Sequence, residues 1–96
     1  MKDKTNKKRT KYFVYIVRCL DGTFYTGFTV DIDKRVVTHN RGKGAKYTRC
    51  RLPVILVHWE EYETKSAAMK REYQIKQMSR KQKERMVYDL GSGEPS

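Results

Sequence analysis

The longest apolar run in the chain is the six residues Tyr12 to Val17, and each of them is β-branched or aromatic. Alternation would mark a strand with one wet face, whereas an unbroken run suits a strand covered on both. Tyr12 to Arg18 therefore reads as a central strand, and the rest of the fold must be arranged around it. The chain has 96 residues, just under the ~100 to 150 of a usual single domain, and is 38% apolar, under the usual ~45 to 50%. A body of that size holds a thin core of two packed layers and no large internal cofactor pocket. The run is also far short of the ~20 residues that cross a bilayer, and no apolar signal segment follows the basic start. A soluble cytoplasmic protein with no membrane partner is expected.

Asp21-Gly22 is a strong turn signal, and Thr23 to Thr29 resumes β-rich composition, so the first two strands form a hairpin. Two registers are open. A two-residue loop sets Leu20 opposite Thr23 and sends Tyr15 and Tyr25 to opposite faces. A three-residue loop, Asp21 to Thr23, sets Tyr15 opposite Thr29 and Tyr25 opposite Cys19, and both phenols then share a face with Gly27. Asp31 is placed to cap a helix that carries Ile32 and Val36 and closes at Gly42. A loop from Gly42 to Pro53 leads to a third strand, Val54 to Tyr62. Thr64 or Ser66 caps a second helix that ends near Met78, and Ser79 caps a third that ends near Asp89. The order β-β-α-β-α-α, three strands with flanking helices, is α+β.

The net charge is +11. Residues 1–11 hold six basic side chains and one acidic, and read as a disordered arm; residues 91–96 read as a flexible tail. The domain between them, residues 12–90, keeps +7 by itself. A surplus that large on a small body predicts a polyanionic partner, nucleic acid first. Cys19 and Cys50 lie 31 positions apart with no CxxC, and His39 and His58 complete no zinc-ligand spacing, so both thiols read as reduced.

Several side chains could carry chemistry, and each has a plainer reading. At 100° per residue Ala68, Glu72 and Ile75 fall within about 60° of one another, which puts a carboxylate in the apolar stripe of the second helix. Glu72 then pairs with a cationic side chain, sits at the stripe's edge, or binds a cation in a cleft. Arg35 and His39 stand at i and i+4 beside Ile32 and Val36, so they can reach one point. An Arg there suits a phosphate and a His suits proton transfer, although a snorkelling Arg and a solvent-facing His would look alike. Gly27 inside a strand marks close approach by another backbone or a ligand, or equally a bulge. The segment Arg41 to Arg51 carries Lys43, Lys46, Tyr47, Arg49 and Arg51, the composition of a loop that follows a phosphate backbone and stacks on a base, and also of a plain charged loop.

Taken together, Val14-Tyr15, then Tyr25-Thr26-Gly27, Arg35-x3-His39, the stretch HNRGKGAKYTRCRLPVILV and Glu72 within KREYQIK resemble the GIY-YIG nuclease superfamily, closest to its small single-domain bacterial branch. The resemblance spans about residues 12–86. It implies a three-stranded antiparallel sheet with flanking helices and a metal-dependent phosphodiesterase site on one sheet face. By the same resemblance Tyr15 matches the tyrosine of the first motif, Tyr25 and Gly27 match the second motif, Arg35 the helix arginine and Glu72 the metal-ligating glutamate, while His39 stands where other members have His or Tyr. The first motif's Gly is Phe13 here, the second motif's Ile is Thr26, and Phe28 occupies a position that is lysine in some members.

The expected protein is thus a divalent-metal-dependent endonuclease acting on DNA more readily than RNA, with Mg²⁺ (or Mn²⁺) on Glu72, and favoured as a monomer. Arg35 would neutralise phosphate charge, Tyr15 with its pKa lowered by neighbouring cations would take a proton from water, and Tyr25 and His39 would orient water or phosphate. A nucleic-acid-binding module of the same fold with little or no cleavage is the alternative. A small basic ribosome-associated protein is a third reading, which explains the charge but not Glu72. The geometric expectation is that Tyr15, Tyr25, Arg35, His39 and Glu72 converge on one concave face.

Overall fold

The computed structural model describes residues 10–89, so most of the expected arm and all of the tail at residues 91–96 lie outside the described residues. The elements are β1 (Tyr12–Arg18), β2 (Phe24–Thr29), α1 (Ile32–Asn40), α2 (Lys46–Arg49), β3 (Ile55–Tyr62), α3 (Lys65–Lys76) and α4 (Arg80–Glu84), continued by a π-helical turn, Arg85–Asp89. The sheet is antiparallel in the order β2-β1-β3, which puts the all-apolar strand in the middle as its composition requires. The expected order holds, with one four-residue helix, α2, added inside the basic loop.

Because β1 is apolar on both faces, the sheet is covered on both. On one face Val14 and Ile16 pack with Ala68 and Ile75 of α3, and Met78, Met86 and Val87 close the edge. On the other, Tyr15, Val17, Cys19 and Val54 pack with Tyr25, Val36, Leu52 and Leu56 under α1. The molecule therefore has three layers rather than the two expected from its size; the third is thin, a nine-residue helix and a loop. Each fully buried aliphatic side chain contributes about 1.5 to 3 kcal/mol.

The hairpin register differs from both expected ones. Cys19 N–H donates to Thr23 O at 2.8 Å and Gly22 N–H to Cys19 O at 2.9 Å, so the three-residue loop is Leu20 to Gly22, with Gly22 at φ +86°. Asp21 stabilises it by accepting from the Thr23 N–H and hydroxyl. Tyr15 then lies opposite Gly27 instead of Thr29, and Val17 opposite Tyr25. The parity of the three-residue option survives, and both tyrosines occupy one face.

Helix ends follow the sequence. Asp31 caps α1 by accepting from Lys34 N–H, Thr64 caps α3 through Ala67 N–H, and Ser79 with Gln82 forms a capping box on α4. Asn40 ends α1 and clamps the start of the next segment, donating to Val54 O at 3.1 Å and accepting from Val54 N–H at 2.7 Å. Arg71 of α3 donates to both oxygens of Glu60 on β3, at 2.8 and 3.2 Å, and Tyr62 and His58 bond the same carboxylate. Burial works to raise the Glu60 pKa, but these hydrogen bonds win and hold it at about 2. That cluster fixes α3 on the sheet, and Glu72 is the next residue along.

Candidate active site

Tyr15 is 1% exposed, and its ring lies across Gly27, where any Cβ would collide with the phenol oxygen and ring carbons. The missing side chain on β2 is what lets the phenol extend over the edge strand. His39 reaches it from the fourth position after Arg35 on α1, both on the helix border that faces the sheet. The Tyr15 hydroxyl lies 2.9 Å from His39 Nε2, and Arg35 Nε donates to the Tyr15 oxygen at 3.3 Å. The Tyr25 ring completes the group at 5.4 Å from the imidazole and 6.5 Å from the Tyr15 ring, centroid to centroid.

The direction of these hydrogen bonds follows from a residue that the sequence did not single out. The Thr48 hydroxyl of α2 lies 3.0 Å from Ala45 O, which can only accept, and 2.9 Å from His39 Nδ1; with its proton on Ala45 O it accepts from Nδ1–H. In that arrangement His39 is the Nδ1–H tautomer, its Nε2 lone pair faces Tyr15, and the phenol donates to it. Proton donation runs one way, from Arg35 to Tyr15 to His39 to Thr48 to the Ala45 carbonyl. Gly44 lets the loop backbone press against the imidazole, since a Cβ there would overlap the ring. Thr48 sits in the basic loop, whose sequence points to its cationic residues and Tyr47 instead.

His39 is fully buried, and burial first, then the Arg35 charge, lowers its pKa below the ordinary 6.5, so it is neutral at pH 7. Tyr15 departs from expectation. Burial pushes its phenol above the ordinary 10; the hydrogen bond and charge of Arg35 oppose this, while Tyr25 and the Glu72 charge add to it. The expected lowering by cations acts, and desolvation outweighs it.

Glu72 does not join the other four on their face. It belongs to α3, which packs on the opposite face across β1 and β2, and its carboxylate bonds Lys76 Nζ at 3.1 Å in an i, i+4 pair. Lys76 also lines a hollow with Phe24, Tyr25 and Thr26, which places this pair at the β2 edge that Tyr15 overlies. Four site residues thus share one face, and the fifth comes around the sheet edge, close enough for its charge to act on Tyr15. Thr26 Oγ1, in place of an apolar Ile, is buried without a hydrogen-bond partner among the described residues, which costs about 1 to 3 kcal/mol.

The donor set fits the expected ion. Among the described residues no three His, Cys, Asp or Glu cluster as a metal cage, and the site offers one carboxylate that already holds a cationic ammonium. A single oxygen ligand suits Mg²⁺ or Mn²⁺, which keep most of their waters, and does not suit tetrahedral zinc or a calcium cage.

In the basic loop Lys43, Lys46 and Arg49 stand exposed. Arg51 turns inward: its Nε bonds Asp21 Oδ2 at 3.1 Å, its Nη1 bonds Tyr47 O at 2.7 Å, and its guanidinium lies 4.0 Å over the Tyr47 ring. Tyr47 in turn stacks on Tyr25 with centroids 6.0 Å apart. No helix among the described residues is long and apolar enough to cross a membrane.

The GIY-YIG catalytic domain family matches residues 11–85 of this chain. A UPF0213 protein of Halobacterium salinarum is 59% identical over 73 residues, 76% of this chain and 95% of the relative; one from Staphylococcus epidermidis is 57% identical over 79 residues, 82% and 96%. Among solved structures, the solution NMR structure of the UPF0213 protein BH0048 from Bacillus halodurans is 48% identical with a TM-score of 0.53, covering 80% of this chain and 82% of that one. The solution NMR structure of EF2693 from E. faecalis is 42% identical with a TM-score of 0.57, covering 84% and 86%.

Proposed function

The chain belongs to the GIY-YIG family, and on that premise we propose that it is a divalent-metal-dependent endonuclease that hydrolyses phosphodiester bonds in DNA. The observation that carries the proposal is the one-way hydrogen-bond chain in which a neutral, buried imidazole presents its lone pair to the phenol of Tyr15. A water proton accepted by the Tyr15 oxygen can be matched by transfer of the phenolic proton to His39 Nε2. The phenol then relays a proton without persisting as phenolate, so its raised pKa is no obstacle. Thr48 keeps the accepting nitrogen bare. The Arg35 N–H groups other than Nε, which have no partner among the described residues, can face the phosphate and offset its growing charge. Glu72 would hold the ion at the sheet edge, and the ion, when bound, supplies Lewis-acid stabilisation of phosphoryl and leaving oxygens.

One observation favours the second reading, a binding module with little cleavage: at 1% exposure the Tyr15 ring is shut away from solvent. Labelled single-stranded, duplex and branched DNA and RNA, incubated with Mg²⁺ or EDTA, separates the two. Mg²⁺-dependent products on DNA are expected; none on any substrate would leave the binding module.

The relay also fixes the pH dependence. His39 accepts only when neutral, and burial first, then the charge of Arg35, lowers its pKa below 6.5, with Tyr15, Tyr25 and Thr48 the other groups that face it. Single-turnover cleavage should therefore fall as pH drops through a midpoint below 6.5 and stay level from there to about pH 9. A rate that instead climbs steadily towards pH 10 would assign the base to Tyr15 phenolate.

A further inference from the structure

Two hollows flank the site, and the side chains that line them carry opposite charges. One, of 340 Å³, lies against Phe13 and Trp59 and is lined by Asp31 and Asp33. The other, of 240 Å³, lies at the β2 edge between Phe24, Tyr25, Thr26, Tyr47, Lys76 and Lys83, with no carboxylate in its lining. It adjoins the site directly, since Tyr25 packs on His39 and Lys76 bonds Glu72. Lys83 is half-buried there and its side-chain ammonium has no hydrogen bond or ion pair among the described residues, and the Tyr25 and Tyr47 hydroxyls likewise make none. Two ammonium groups at one small hollow repel each other, and a half-buried unpaired ammonium is costly unless an anion joins it. Burial and the Lys76 charge accordingly push the Lys83 pKa down.

We propose that this hollow binds an internucleotide phosphate of the nucleic-acid strand, next to the one presented to Tyr15 and Arg35. Lys83 and Lys76 supply the charge, and the Tyr25 and Tyr47 hydroxyls supply neutral donors. An approaching strand would also give Lys76 an alternative to Glu72, leaving that carboxylate to a metal ion. The acidic hollow on the other side turns phosphates away, so the strand leaves the site over β2 and not towards Trp59. The proposal rests on the nucleic-acid reading of the site above, and it adds two residues and a direction.

The test is equilibrium binding of a fluorescent single-stranded DNA in EDTA at a series of salt concentrations, for wild type, Lys83→Gln, Lys83→Arg and Lys65→Gln. Lys65 is exposed at the start of α3, roughly 16 Å along the helix from Lys76, and controls for net charge. Lys83→Gln should reduce the steepness of log K against log[salt] by about 0.7, one phosphate's worth, and Lys83→Arg should restore it. Lys65→Gln should leave it within error. Equal losses for Lys83→Gln and Lys65→Gln, or none for Lys83→Gln, overturn the subsite. A loss confined to oligonucleotides bearing a terminal phosphate, or reproduced by inorganic phosphate competing at millimolar concentration, overturns the internucleotide assignment. A Lys83→Gln protein with altered circular dichroism is replaced by Lys83→Met, which keeps the stem's packing. Binding in EDTA is independent of cleavage. An unchanged slope removes the subsite and leaves the nuclease, whereas absence of cleavage with a changed slope removes the nuclease and leaves the subsite to a binding module.

Discussion

Glu72→Gln should abolish Mg²⁺-dependent cleavage, by a factor of about 10³ or more, in a protein that folds and binds DNA as well as wild type or better. The stability side of this expectation follows from geometry. Glu72 pairs with Lys76 four residues on, a partner whose side chain is 48% exposed, and such helix-surface pairs contribute only about 0.3 to 0.5 kcal/mol. Losing the pair leaves Lys76 in contact with water, so no buried cation is stranded, and the thermal midpoint should move by only a few degrees at most. Binding should hold or tighten because the site gains one unit of positive charge and Lys76 is released towards the strand. Catalysis should collapse because Glu72 is the one carboxylate among the site residues, and loss of its ion removes stabilisation of transition-state charge. The measurement is single-turnover cleavage alongside anisotropy binding and a thermal melt. Wild-type cleavage by folded Glu72→Gln protein would remove Glu72 from the site.

Gly27→Ala should cost activity nearly as heavily by a purely steric route. The added methyl would overlap the Tyr15 phenol oxygen and two of its ring carbons, and a buried tyrosine ring held by two hydrogen bonds cannot yield by the amount required. The ring must leave its place over β2, and its hydroxyl then loses either His39 or Arg35. Displacement of a reacting group by about 1 Å is enough for a loss of roughly 10² in rate, and overpacking costs about 1 to 3 kcal/mol, or several degrees in thermal midpoint. Tyr15→Phe isolates the chemical part: it removes the relaying oxygen while keeping the ring and its packing, and although leaving the buried His39 Nε2 without its partner costs about 1 to 3 kcal/mol, cleavage by the folded protein should fall with no ring displaced. Cleavage assayed well below the lowered midpoint, beside DNA affinity, reads the effect. Undiminished cleavage by folded Gly27→Ala protein would mean that the phenol is not held where the rate depends on it.

These two residues also show what could be read from the sequence. Gly27 stood out because a glycine inside a β-rich segment asks for an explanation, and it was offered as close approach or a bulge. The close approach is real, but it is made not by another backbone or a ligand but by a neighbour on the adjoining strand, the side chain of Tyr15. Its identity depends on a register that turn residues did not fix, since Asp21-Gly22 is compatible with loops ending at Gly22 or Thr23. The both-sided cover of β1 was legible because apolar residues fill every position, yet size suggested one helical layer too few; α1 covers its face with little beyond Val36 and the buried His39. Arg35 and His39 were drawn together by helical spacing, a local property. Thr48 was not found because its role depends on a contact nine residues away across a loop, and no periodicity signals that. Glu72 was placed correctly in the stripe of α3, but a helix face does not say which side of the sheet it will cover.

The basic loop has a consequence of its own. It is tied down at three places before any ligand arrives: Leu20 N–H to Arg51 O at 2.9 Å, Arg51 to Asp21 at 3.1 Å, and the paired hydrogen bonds between Asn40 and Val54. A slack loop of this length would surrender much of its conformational entropy on closing around a strand, at roughly 0.5 to 1.5 kcal/mol for each rotamer-rich side chain immobilised. Here the backbone ordering was completed during folding, and only the stems of Lys43, Lys46 and Arg49 remain to be stilled. On the nucleic-acid reading proposed above, most of the attraction of those cations for phosphate would therefore be retained as affinity, and encounter would resemble docking onto a rigid surface more than the wrapping of a flexible one.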